Sequence, residues 1–134
     1  MAANKKPRNK AHRPRAVNIP MMAATRNSLA LKLHLMIEAL IEAPSPDTYN
    51  QLSKKLAQLV YTGAQGQCLD LATDVLTAVC DRFERVGRVG TSELEAKALR
   101  MAGVGLDSLL GTIPINKVED AGARVSIYAE EMGV

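Results

Sequence analysis

The residues that could do chemistry are few, and their spacing does not assemble a reactive centre. The chain has two histidines, His12 and His34. His34 is followed by Glu38 and Glu42 at steps of four, so one helical face would carry an imidazole above two carboxylates. Such a trio could hold a divalent metal. It lacks the Glu-x-x-His pairs of di-iron bundles and the His-x-x-x-His of zinc hydrolases, and it reads as a solvated or interface stripe. Cys68 and Cys80 lie twelve residues apart, about 18 Å along a single helix. A disulfide needs its Cα atoms within about 7 Å, so this pair is expected to remain as thiols. They lack the CxxC clustering of zinc sites, and no histidine is expected on their helix to activate them. The glycine pairs Gly63/Gly66 and Gly87/Gly90 lack the Gly-Lys-Ser/Thr ending of a phosphate loop. The expectation is a protein that is not an enzyme, with no catalytic residue, metal, cofactor or small-molecule substrate.

Charge is distributed more informatively. Of 17 Lys and Arg residues in a chain of 134, six stand in the first 17 positions: Lys5, Lys6, Arg8, Lys10, Arg13 and Arg15. No acid accompanies them. The remaining chain holds 11 basic and 14 acidic groups. The leading segment also contains Pro7, Pro14 and Pro20 and little that is apolar, a composition that opposes helix and core formation. It reads as a flexible basic arm over residues 1–21, ahead of a helical domain over 22–134. Its six cations are the candidate nucleic-acid-binding residues. Lysine and arginine without interleaved aromatics suit phosphate contact better than base stacking. Aromatic residues are only 3 % of the chain and tryptophan is absent, which excludes a stacking platform. Smaller basic clusters, Arg82/Arg85/Arg88 and Lys54/Lys55, could extend the arm's surface.

The elements that must carry these groups follow from apolar spacing. Leu29, Leu33, Met36 and Leu40 step by four, three and four, which predicts a helix over Arg26–Glu42. A strand is the rival there, because Leu29, Leu31, Leu33 and Leu35 also alternate; length and the lack of β-branched residues favour helix. This helix is apolar well beyond half its circumference, so Leu31, Leu35 and Ile37 are candidate protein-interface residues. Ser45-Pro46 opens a second helix to about Tyr61, with Tyr49, Leu52, Leu56, Leu59 and Val60 on one face. The third, Gln67–Val86, steps through Leu69, Ala72, Leu76, Val79, Phe83 and Val86. Its far side presents Asp70, Asp74 and Asp81, candidate contacts for a basic partner. Ser92 with Glu95 makes a capping box for a fourth helix, within which Gly103 and Gly105 suggest a kink. Asn116 with Glu119 forms a second such pattern and opens a fifth helix to about Glu131. Its expected inner face is Ile115, Val118, Ala121, Val125, Tyr128 and Met132. Short connections imply an all-α, compact bundle of about five antiparallel helices.

The run Lys5-Lys-Pro-Arg-Asn-Lys10, then Arg13-Pro-Arg15 and a helical body from Thr25-Arg-Asn, resembles small accessory proteins of bacterial phages and prophages. That resemblance implies a host-directed binder or regulator rather than a metabolic enzyme. Together these features lead to the expectation of a non-catalytic binding or regulatory protein whose arm engages nucleic acid or a nucleoprotein complex. The alternative is an adaptor or inhibitor that docks on a protein through its helical surface, with a homodimer as a further possibility. No apolar run suits a bilayer and no apolar stretch follows the leading charges, so a cytoplasmic protein without membrane contact is expected.

Overall fold

The structure, a computed structural model, describes residues 17–134. Those residues form five helices: α1 (Ala23–Glu42), α2 (Pro46–Tyr61), α3 (Gln67–Val86), α4 (Glu93–Leu110) and α5 (Ile115–Met132). Among the described residues there are no strands, so the rival reading of 29–35 is excluded. α1 begins three residues earlier than its apolar spacing indicates, because Ala23, Ala24 and Thr25 add a solvent-facing first turn.

Local chemistry sets the boundaries of the middle helices. The Ser45 hydroxyl accepts from the Thr48 amide at 3.1 Å, and Thr48 Oγ1 accepts from the Ser45 amide at 2.9 Å. Pro46 occupies the first turn, where its missing N–H has no partner to lose. Ser92 and Glu95 close the same reciprocal box on α4, with Ser92 Oγ accepting from the Glu95 amide at 3.1 Å. α3 ends where Gly87 turns left-handed at φ 78°, letting its amide reach the Phe83 carbonyl at 2.7 Å.

Two expectations about α4 and α5 are corrected. α4 runs unbroken through Gly103 and Gly105. Asn116 does not cap α5; Pro114 holds the N-cap position. The Asn116 side chain instead accepts from the Ile19 amide at 2.9 Å, while the Ile115 amide donates to the Ile19 carbonyl at 2.8 Å. The capping-box spacing was satisfied in sequence, but a long-range partner took the side chain.

The first four helices form an antiparallel ring, α1–α2–α3–α4 and back to α1, and α5 packs on the outside against α2. Their inward leucines make one core: Leu33 and Leu40 from α1, Leu52, Leu56 and Leu59 from α2, Leu69 and Leu76 from α3, Leu99 and Leu106 from α4. Each such side chain contributes about 1.5–3 kcal/mol by leaving water. Among the described residues no polar or charged side chain is buried, so the core is dry. The expected inner stripes fail only toward helix ends. Val60, Phe83, Val86, Tyr128 and Met132 are all exposed, while Leu59 beside Val60 and Ala129 beside Tyr128 are buried in their place.

α3 and α4 pack tightly against each other at Gly105. A β-carbon there would sit 2.7 Å from Cys68 Cβ, an atom fixed to the α3 backbone. Replacing Gly105 by Ala improves helix propensity by about 1 kcal/mol. We expect Gly105→Ala nevertheless to lose about 1–3 kcal/mol in urea unfolding, because the helices must separate. Adding Cys68→Ala, which keeps the obstructing carbon, should not restore stability, whereas Cys68→Gly should restore part of it. A Gly105→Ala protein as stable as its parent would contradict this packing.

Candidate functional site

The most distinctive surface is built by α1 and α4 together. They run antiparallel, and Gly103 lets them close: a β-carbon there would lie 3.0 Å from Ile37 Cδ1 and 3.0 Å from His34 Cε1. Ile37 is therefore a core residue, only 1 % exposed, and it cannot belong to an interface. The sequence reading of Leu31, Leu35 and Ile37 as one patch is corrected at this position: Ile37 sits on the arc that turns toward α4.

A polar seam runs along the outer edge of the helix pair. His34 Nε2 lies 2.9 and 3.0 Å from the two Asp107 carboxylate oxygens and, facing acceptors only, carries the hydrogen. Arg100 donates to Glu38 through two nitrogens, both at 2.8 Å, and its Nη2 lies 3.7 Å from Glu42. The Arg100 hydrogen bonds hold the Glu38 carboxyl below its usual range. The His34–Glu38–Glu42 trio is thus divided between two partners. Among the described residues no group of three or more His, Cys, Asp or Glu side chains is placed to hold a metal.

Beyond the seam both helices turn apolar faces outward. At 100° per residue, Leu31 and Leu35 follow His34 onto the outer side of α1, while Val104, Met101 and Leu94 follow Arg100 onto the same side of α4. Leu31 is 61 % exposed, Leu35 59 %, Leu94 79 %, Met101 62 % and Val104 65 %. These five apolar side chains share the outer side with the exposed Glu42, Lys97 and Ser108. Ile41, Glu42, Lys97 and Arg100 join Met101 and Val104 around an open depression at its upper end. The α4 half went unread in sequence. Its signal was present: Leu94, Met101 and Val104 recur at seven and three residues, off the Leu99–Leu106 stripe.

The other candidates disperse. Lys5, Lys6, Arg8, Lys10, Arg13 and Arg15 lie outside the described residues. Asp70, Asp74 and Asp81 are exposed along the outer side of α3, and among the described residues none of them forms an ion pair. The basic clusters are partly engaged within the fold, while Arg85 and Arg88 stay exposed. Arg82 turns to Glu95 and to the Gly90 carbonyl at 2.8 Å. Lys55 donates to Gln58 at 2.9 Å, and burial, with Lys32 nearby, pulls its ammonium below its usual range.

Among the described residues neither cysteine meets a histidine. Cys68 is half-buried against Gly105, and the Cys80 thiol donates to Glu84 at 3.6 Å. Cys80 also borders a cavity of about 260 Å³ with Tyr49, Val79, Phe83 and Val89. The Tyr49 hydroxyl donates from its rim to the Leu76 carbonyl at 3.1 Å, and burial, reinforced by Cys80 and Asp81, pushes that phenol up to about 12. Among the described residues no helix is long and apolar enough to cross a membrane.

The Arg82–Glu95 pair gives the bundle an acid-sensitive tie. Burial raises the Glu95 carboxyl, but hydrogen bonds from Arg82 and Ser92 outweigh it and leave the group below its ordinary range. A carboxyl depressed on folding stabilises above its unfolded pKa and loses that contribution as pH falls through the folded value. We therefore expect Glu95→Gln to melt below the parent at pH 7, and the difference to close below about pH 4. Thermal melts followed by circular dichroism across pH 3–7 check this; a pH-independent difference would contradict it. Comparison with known proteins finds no family model, no curated protein and no solved structure that matches the chain.

Proposed function

We propose that this is a non-catalytic binding protein: a cationic leading segment engages the phosphates of nucleic acid or a nucleoprotein, and a rigid helical body presents a separate apolar docking face. The observation that carries the first half is the partition of charge, six cations without an acid in residues 1–17 against an acidic excess in the rest. Neutralised phosphates release condensed counterions, so such a segment supplies affinity without reading sequence. Of the body's own cations, Arg82, Arg100 and Lys55 are already engaged within the fold. The start of the body is also fixed. Ile19 is bonded on both its backbone groups to the first turn of α5, so the segment departs from a defined point.

A second reading has its own support. The apolar α1/α4 face suits an adaptor or inhibitor that docks on a protein, in which case the leading segment serves solubility.

Binding to generic duplex DNA and to RNA, with and without residues 1–16, separates the two. The full chain is expected to bind at low salt, with a log–log salt slope of up to about −5 on duplex DNA. Deletion should abolish that binding while leaving helicity unchanged. Binding that survives deletion, or no binding to either polymer at low salt, would remove the nucleic-acid reading.

A further inference from the structure

We propose that the cleft between α2 and α3 is a binding site for a small uncharged apolar molecule, a substituted ring or two fused rings, seated beside Tyr49 with its one polar group on the Asn50 amide. Three observations lead there. α2 and α3 pack less closely than any other neighbouring pair in the ring. Space remains between them on both sides of Tyr49: a cavity of about 260 Å³ toward Pro46 and another of about 310 Å³ toward Tyr61. The first is walled by Pro46, Tyr49, Val79, Phe83 and Val89, with Asn50 and Cys80 as its polar members. Sites of this kind, apolar with a few placed polar groups, recur between the helices of bundles.

The walls define the occupant. No Asp, Glu, Lys, Arg or His lines the Pro46-side cavity. A carboxylate, phosphate or ammonium inside it would lose its hydration without gaining a partner, so a neutral molecule is selected. The Tyr49 hydroxyl is not a free anchor: it already donates to the Leu76 carbonyl at 3.1 Å, and its phenol, pushed up to about 12, stays neutral. The Cys80 thiol is likewise turned to Glu84. That leaves the half-buried Asn50, whose side-chain amide meets no partner among the described residues. It offers both a donor and an acceptor to one polar substituent. Size sets the upper bound. An apolar cavity of roughly 150 Å³ stays dry and takes benzene. The larger space here admits a ring with substituents or a second fused ring. Tyr49 and Phe83 give that ring aromatic partners for offset or edge-on packing. Phe83 is 39 % exposed and forms the open lip of the cavity.

The site lies where α2 starts and α3 ends, with Val89 in the connection to α4. Ile19 is bonded to the first turn of α5, at the opposite end of the bundle. The ligand proposal is therefore independent of the nucleic-acid reading, and neither requires the other.

Titration of the full chain at neutral pH with β-naphthol, and with β-naphthoate as the charged control on the same ring system, tests the site. Phe83 is the only phenylalanine in the chain, so selective ring labelling gives a single NMR reporter. β-Naphthol is expected to shift the Phe83 ring signals saturably, with a dissociation constant below about 1 mM, and to show cross-relaxation with that ring. It should also slow alkylation of Cys80 by iodoacetamide severalfold while leaving the rate at Cys68 unchanged, both read on peptides by mass spectrometry. β-Naphthoate should bind at least about tenfold more weakly. Asn50→Leu should weaken β-naphthol about fivefold by removing its polar partner. Val89→Phe, which fills the cavity from the connecting segment, should abolish binding while helicity is retained. A Phe83 signal unmoved by β-naphthol up to its solubility limit overturns the proposal. So does β-naphthoate that binds as tightly, binding that leaves both Phe83 and Cys80 unaffected, or affinity indifferent to Asn50→Leu and Val89→Phe. The readouts at Phe83 and Cys80 use the unaltered chain, so the outcome does not hang on either variant folding.

Discussion

The closure of α1 onto α4 at Gly103 is the contact on which the rest of the molecule depends. It completes the ring of four helices, because α1 and α4 are the first and last members and no short loop joins them. The missing side chain admits Ile37 and the edge of the His34 ring at van der Waals range. With the gap closed, the leucines of all four helices face a common dry interior. The same closure decides what remains outside. Ile37 is taken into the interior, and Leu31 and Leu35 stay exposed on the outer side.

A small helical domain normally sorts apolar residues inward and polar ones outward. Here α2 and α3 follow that rule through most of their length, and α1 and α4 do not. Leu31, Leu35, Leu94, Met101 and Val104 stay exposed on them among polar residues such as Glu42, Lys97 and Ser108, beside an edge where His34 meets Asp107 and Arg100 meets Glu38. Polar groups that satisfy one another laterally leave no orphaned charge when something covers them.

The secondary structure was largely legible in the residues. Ser45-Pro46 and Ser92/Glu95 marked helix starts by local hydrogen bonding, and Gly87 marked an end by its left-handed turn, so proximity in sequence was enough. Where a side chain had a distant alternative, the local rule failed. Asn116 had the spacing of a cap but bonds Ile19, 97 residues away. The site was half legible for a similar reason. Excess hydrophobicity singled out α1, but which of its leucines and isoleucines would be covered depended on the position of α4. Leu94, Met101 and Val104 gained meaning only once α4 had a neighbour on the same side. The Arg82/Arg85/Arg88 and Lys54/Lys55 clusters looked like surfaces in one dimension; in three, Arg82 and Lys55 turn to separate acceptors.

α5 stands apart from the ring, held by α2 alone among the helices, with Gln58 reaching across to the Val118 carbonyl at 2.8 Å. The two Ile19 bonds tie the chain entering α1 to the first turn of this same outlying helix. The chain entering α1 is therefore shared between the ring and the outlying helix, so fraying of α5 from α2 would also release one of the attachments that hold this entry in place.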